Sequence, residues 1–284
     1  PPPARPFRHY DRRAVKTVLF VGAGRHQRGA ILQARERGLR VVAVDRNPAA
    51  PGLAVADAAE AVDFTDLEAV AAVAARHRVD GALTVSADRA VPVVAAVTQE
   101  LGLPSIGTDV ALAMTNKLVM RHRLAEAGVP QPPFAAIRSA AGVEEALAAV
   151  PLPAVLKPSD SGGQRGIFRI ESRAELERDL PAALAESRTG EAILEGYVDG
   201  LELNGIVIAR AGTAASLTLS DRLRPPGIGF GVGWIHVYPA RLDEAHLSRC
   251  EEVAGEAVRA LGLRDGIAFP QLIATPTGEV AVVE

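Results

Sequence analysis

Short apolar runs alternate with amphipathic stretches through the first third of the chain. The runs 17–21, 39–44, 62–64 and 81–85 are rich in Val, Leu, Ala and Phe and bounded by glycine or polar residues, which predicts brief buried strands. Between them, 27–38, 66–78 and 89–101 space their apolar residues as one helical face, and 104–106 reads as a last short strand. Strand alternating with helix predicts an α/β unit with a parallel sheet, helices on both faces, and any ligand at the carboxyl ends of the strands. Within it, Ser86 reads as the cap of the next helix, the rival reading being a contact to a small carboxylate.

Beyond Gly107 the pattern changes to a mixed order. A helix is expected over 111–127, a strand over 133–137 and a helix over 143–150. A strand then ends at Lys157 and runs into a loop holding Ser161, Gly162, Gly163, Arg165 and Gly166 before the next strand. A strand and turn follow around Glu195-Gly-Tyr197-Val198, with Glu202 just beyond. The final run 266–284 reads as a hairpin turning at 275–278. A two-residue loop there would put Gln271 and Glu284 on one face, and a bulged three-residue loop would reverse that parity.

Composition narrows the function. Apolar residues make up 48% of the 284 and charged ones 23%, an ordinary globular balance. The formal net charge of -3 argues against coating a nucleic acid, and no apolar run reaches the ~18 residues that cross a bilayer. One cysteine, Cys250, rules out a disulfide framework and reads as an inert helical thiol. With no secretory signal at its start, the chain is expected to be cytoplasmic. Residues 1–13 read as a flexible arm, and the stop at Glu284 directly after a strand-like run suggests a piece of a longer protein.

Two glycine-bearing corners carry candidate chemistry. Gly22-Ala-Gly24 follows the first strand, and Asp45 lies where a dinucleotide site would want a ribose contact. The third glycine, Gly29, falls one position too late for that fingerprint, so the turn is read as a structural use of glycine. A nicotinamide-dependent oxidoreductase on Gly22, Gly24 and Asp45 is the rival. The second corner pairs Lys157 with a glycine loop, a combination that wraps N–H groups and a point charge around phosphate oxygens. Only three of the 31 basic residues are lysines, and Lys117, in Thr115-Asn116-Lys117, lies 40 residues before Lys157.

These segments resemble the ATP-grasp superfamily. Asn116-Lys117 with Ala127-Gly-Val-Pro130 is similar to its first phosphate-lysine segment, and Leu156-Lys157-Pro158 with the glycine loop to its second. The resemblance implies a Rossmann-like pre-ATP-grasp domain over 14–112. A two-lobed α+β ATP-grasp domain follows over 113–284, with a small lobe near 131–197 and a C-terminally incomplete remainder, 198–284. It implies that Lys117, Lys157, Ser161, Gly162, Gly163 and Gly166 meet ATP phosphates, that Glu195, Tyr197 and Val198 line adenine, and that Glu202 holds ribose. It further implies Mg2+ on Gln271 and Glu284, with glutamine first, as in carbamoyl phosphate synthetase-like members. The asparagine and arginine expected beyond Glu284 are missing from the sequence.

The implied activity is ATP-dependent ligation. A carboxylate becomes an acyl phosphate that an amine captures, with Lys157 and Arg165 catalytic. Ser86, Arg222 and His236 are candidate substrate contacts, although the glycine-rich run between Arg224 and His236 also reads as a solvated loop. A non-catalytic nucleotide-binding module is the second rival. No nucleic acid or membrane partner is expected, and the oligomeric state is left open, a homodimer being one arrangement allowed.

Overall fold

A computed structural model describes residues 15–162, 165–224 and 235–284. The chain divides into two compact units, Pro1–Gly107 and Thr108–Glu284.

In the first unit, β1 (Thr17–Val21), α1 (Arg25–Glu36), β2 (Arg40–Val44), β3 (Ala58–Glu60), α2 (Leu67–His77), β4 (Gly81–Leu83) and α3 (Val91–Glu100) form a parallel sheet of order β3-β2-β1-β4. Successive strand residues face opposite sides, and both sides are covered. Leu19, Val21, Val42 and Val44 pack on Val70, Val73, Ala74 and Val97 of the helices, while Phe20, Val41 and Ala43 pack on Ile31 and Ala34 of α1. The third strand is Ala58–Glu60, not the apolar 62–64, and 104–106 forms no strand. Val62 and Phe64 are half-buried on the core but unpaired; the alanines that do pair with β2 have low strand propensity and gave no signal.

The glycine turn after β1 is filled by the protein itself. Asp45 accepts from Ala23 N–H at 2.9 Å and from Asn47 N–H at 2.9 Å, and Gly52 N–H donates to Ala23 O at 2.7 Å. Gln27, buried in the first turn of α1, donates to Val85 O. Ser86 does not cap a helix. It sits at φ 52, and the short turn Asp88–Ala90 that follows is entered through Ala87 with no side-chain bond.

The second unit opens with two helices where one was expected. α4 (Thr108–Thr115) and α5 (Lys117–Glu126) are separated by Asn116, which adopts extended backbone and accepts from Val119 N–H at 3.1 Å. Asparagine competes for the backbone in this way, so it starts a helix better than it continues one. A small antiparallel sheet of order β5-β8-β6-β7 follows, from β5 (Phe134–Ile137), β6 (Ala154–Pro158), β7 (Phe168–Ile170) and β8 (Ala192–Gly196). The helices α6 (Val143–Ala149) and α7 (Arg173–Glu186) back it over a core of Ile137, Leu156, Ile170, Leu176, Leu180 and Leu194.

A larger sheet completes the unit. β9 (Leu201–Arg210), β10 (Thr213–Leu223), β11 (Ile235–Val237), β13 (Gln271–Ala274) and β14 (Val280–Val282) run in the order β11-β10-β9-β13-β14, with β12 (Gly266–Ala268) also paired to β9. Helix α8 (Glu244–Ala260) packs on β9, β10 and β14. Cys250 is fully buried there, and burial pushes its thiol up to about 11, consistent with an inert role. No helix among the described residues is long and apolar enough to cross a membrane.

Candidate active site

Register decides what β6 and β8 present. Leu156 lies opposite Leu194 and faces the helices, so Val155, Lys157, Ile193 and Glu195 share the other face. Val155 pairs with Glu195 and Lys157 with Ile193, which makes Lys157 and Glu195 diagonal neighbours. Their side chains close that diagonal with Lys157 Nζ donating to Glu195 Oε2 at 2.7 Å.

Helix α5 adds the remaining cations. Because Asn116 is the cap, Lys117 is the first helical residue, and its N–H donates to Ser159 O at 2.7 Å, tying the helix start to the chain just after β6. Lys117 Nζ then donates to Ser161 O at 3.0 Å and pairs with Glu284 Oε1 at 3.1 Å. One turn on, Arg121 Nε donates to Glu195 Oε1 at 2.7 Å. Its other nitrogens reach Val282 O at 2.8 Å, Val283 O at 2.7 Å and Gln131 Oε1 at 3.3 Å.

Hairpin geometry delivers Glu284. Leu272 pairs with Val282 and Ala274 with Val280; Thr275 N–H donates to Glu279 O at 2.8 Å, leaving a three-residue loop, 276–278, that is closed by Gly278 N–H on Thr275 O at 3.0 Å, with Gly278 at φ 87. This register alone would leave Gln271 and Glu284 on opposite faces. A β-bulge undoes the shift: Val283 and Glu284 both donate to Gln271 O, at 2.9 and 3.4 Å, and Gln271 N–H donates to Glu284 O at 2.7 Å.

The resulting cluster is buried and unbalanced. Side-chain exposure is 1% for Arg121, 2% for Glu195, 7% for Lys117 and 11% for Lys157, rising to 38% at Glu284. Burial alone would raise the Glu195 carboxyl; Arg121 and Lys157 outweigh it and hold the group at about 2. Glu284 is likewise lowered, burial opposing and Lys117 and Lys157 prevailing. Among the described side chains three cations face two carboxylates, a surplus of one positive charge. An uncompensated buried charge is costly, and an anion that enters relieves it.

The other expected site residues fall in several places. The glycine loop is anchored at its start by buried Asp160, which accepts from Ser187 Oγ at 2.9 Å and Arg188 N–H at 3.1 Å. Gly166 sits at φ 68, where an added Cβ would meet Pro158 at 3.0 Å and Glu186 at 3.2 Å. Gly162 lies in the described part of the loop, and Gly163 lies outside the described residues. Arg165 is not joined to the lysines; it is exposed and pairs with Glu186 at 3.4 Å. Glu195, matched by resemblance to the adenine edge, instead gives one oxygen to Arg121 and the other to Lys157. Tyr197, directly after β8, stacks under Arg169, 4.2 Å from guanidinium to ring centroid, and Val198 beside it is half-buried.

Glu202 is held by Arg222 at 2.7 Å and Arg224 at 2.9 Å, across the β9–β10 pair. His236 lies opposite Arg222 on β11, its Nδ1 3.2 Å from Ser220 Oγ. Gln271 and Glu284 are the metal donors on offer. Among the described residues no group of three or more His, Cys, Asp and Glu side chains gathers.

Comparison with known proteins places this geometry. The family model described as D-ala D-ala ligase C-terminus matches residues 124–284. The chain belongs to this ATP-grasp family. The match spans the small sheet, the large sheet and the bulged hairpin, so the Lys157–Glu195 diagonal and Glu284 are family territory, while Lys117 and Arg121 lie just before it. The chain is 27% identical over 256 residues to a formate-dependent phosphoribosylglycinamide formyltransferase of Burkholderia lata, and 28% identical over 259 residues to its namesake in Synechococcus sp.. Each alignment covers 87% of this chain and 63% of the relative. In fold, this ATP-grasp chain is similar to an L-amino acid ligase from Bacillus licheniformis (TM-score 0.82, 22% identity, 95% of this chain, 66% of that one). An ADP complex of an N5-carboxyaminoimidazole ribonucleotide synthetase is equally similar (TM-score 0.81, 22% identity, 95% of this chain, 69% of that one).

Arg121 is the site residue that sequence reasoning missed. Its signal was modest: it lies four residues after Lys117, hence on the same helical face, beside Leu118 and Leu124 that are buried. An arginine on an apolar face of the helix that Lys117 opens is a partner in search of an acid.

Proposed function

We propose that this protein is an ATP-dependent ligase that activates a small-molecule carboxylate for capture by an amine or similar nucleophile. The observation that carries this reading is the surplus positive charge of the buried Lys117–Lys157–Arg121 cluster at the mouth of a glycine loop. Lys117 and Lys157 each hold two acceptors among the described residues and have three donors, so each keeps capacity for a phosphate oxygen. Backbone N–H groups of the loop through Ser161, Gly162 and Gly166 suit the same ligand. The chain after Glu195, through Tyr197 and Val198, would line the base, and Glu202 the sugar hydroxyls.

Glu284 and Gln271 would hold Mg2+, an ion usually bound through one or two protein oxygens and otherwise by waters and phosphates. A donor set of one carboxylate and one amide fits that habit, and the bulge brings both to one end of the hairpin. The ion would supply charge neutralisation at the phosphates.

In the reaction a substrate carboxylate oxygen attacks the γ-phosphorus and ADP departs. The amine then attacks the acyl carbon, inorganic phosphate leaves and the amine loses a proton. The protein's part is positioning and charge stabilisation, and no side chain is needed as a covalent nucleophile. Named relatives support a carboxylate substrate: one is formate-dependent and another is a ligase of L-amino acids. Arg222 and His236, adjacent across β10 and β11, are the groups we assign to the carboxylate substrate or its acyl phosphate.

A phosphate-release screen on the full-length protein tests this reading, pairing carboxylic and amino acids with amines in Mg-ATP. Release that requires one particular carboxylate and amine is expected. ATP binding with no release across the panel would instead make the protein a non-catalytic nucleotide module.

A further inference from the structure

We infer that Arg121 is the positioning residue of the phosphate site, fixing Lys157 from one side and Glu284 from the other; this rests on the ATP-binding reading above. Arg121 is among the largest fully buried side chains of the protein. A buried guanidinium is tolerated when its donors are met, and here four of its five N–H groups have acceptors: Glu195 Oε1, Gln131 Oε1, Val282 O and Val283 O. Those acceptors belong to separate elements. Glu195 is on β8 in the small sheet, Gln131 precedes β5, Val282 ends β14 of the large sheet and Val283 follows it.

Three of the four bonds lead to a group of the site. Glu195 turns one oxygen to Arg121 and the other to Lys157, so the guanidinium sets the carboxylate that orients the Lys157 ammonium. The two carbonyls that Arg121 holds immediately precede Glu284, where the bulge turns that side chain toward Lys117. Val282 N–H donates to Pro130 O at 2.9 Å beside the same contact, so the strand end is fixed through both backbone groups. Arg121 spends its donors on protein atoms and acts through Lys157 and Glu284. A lysine could pair with Glu195, yet its compact head cannot also span two carbonyls, so charge alone does not replace it.

The full-length protein carries the test in three forms: Arg121→Lys, the double change Arg121→Met with Glu195→Met, and Lys157→Ala. Affinities for Mg-ATP by calorimetry and for adenosine by competition are read beside the unfolding temperature. Arg121→Lys is expected to weaken Mg-ATP by about 10- to 100-fold, the range for removing the partner behind a directly binding group, while adenosine affinity stays within about twofold. In the double variant an apolar pair of similar volume replaces the Arg121–Glu195 pair but strips Lys157 of its carboxylate, so the unfolding temperature and the Mg-ATP affinity both stay below the wild type.

The inference is overturned if Arg121→Lys binds Mg-ATP like the wild type, if Mg-ATP and adenosine weaken equally, or if the double variant binds Mg-ATP like the wild type. Unchanged Mg-ATP affinity in Lys157→Ala defeats the ATP reading itself, and the inference with it.

Discussion

Two strand-to-loop corners of this chain carry glycines, and they differ in what becomes of their polar groups. At Gly22–Gly24 the protein's own atoms complete the turn: Asp45 takes the Ala23 N–H and Gly52 donates to Ala23 O. At the corner after Lys157 the polar groups are charged and do not balance, three buried cations standing against two carboxylates. Glycine spacing is similar evidence at both. What separates a closed turn from a binding site is whether donors and charge are already spent within the fold.

The charged corner is expected to respond most strongly to acid. Glu195 is held at about 2, below its ordinary 4.5, so its contribution is fully present above 4.5 and is lost as pH falls through 2. That shift corresponds to about 3 kcal/mol, and denaturant unfolding across the range should show the loss. In Glu195→Gln this part of the acid dependence should vanish; an unaltered pH profile would separate Glu195 from the cluster.

The filled corner should be sensitive to volume and indifferent to nucleotide. A Cβ at Gly52 would lie 2.5 Å from Ala23 O, a backbone atom with little room to retreat. Gly52→Ala is expected to destabilise by about 1–3 kcal/mol in thermal unfolding while ATP affinity stays at the wild-type value. Weakened ATP binding in that variant would erase the contrast between the corners. A smaller effect is expected at Asn116→Ala, where losing the cap that begins α5 at Lys117 costs about 1 kcal/mol, again by thermal unfolding.

Legibility in the sequence followed the distance between partners. The alternating first unit, the Lys157 glycine loop and the final hairpin are local patterns, and each was readable from its own residues. Arg121 was not, because its partners Glu195, Val282 and Val283 lie 74, 161 and 162 residues away. The hairpin parity was also hidden: a three-residue loop and a bulge at Val283–Glu284 each shift the register, and only their sum decides which face Glu284 takes. The strand Ala58–Glu60 escaped because alanine carries no strand signal, while the nearby Val62 and Phe64 supplied a misleading one. Asn116 looked like a residue within a helix until its cap bond showed it as a beginning.

The most direct measurement is a calorimetric ATP titration of the full-length protein and of Lys157→Ala, with Asp45→Ala as the control from the other corner. Loss of the Lys157 ammonium should weaken ATP by about 10- to 100-fold, the worth of a charge-assisted hydrogen bond, while Asp45→Ala lowers stability and leaves ATP affinity intact. Unchanged affinity in Lys157→Ala, or an equal loss in Asp45→Ala, would contradict the assignment of the buried cluster to ATP phosphates.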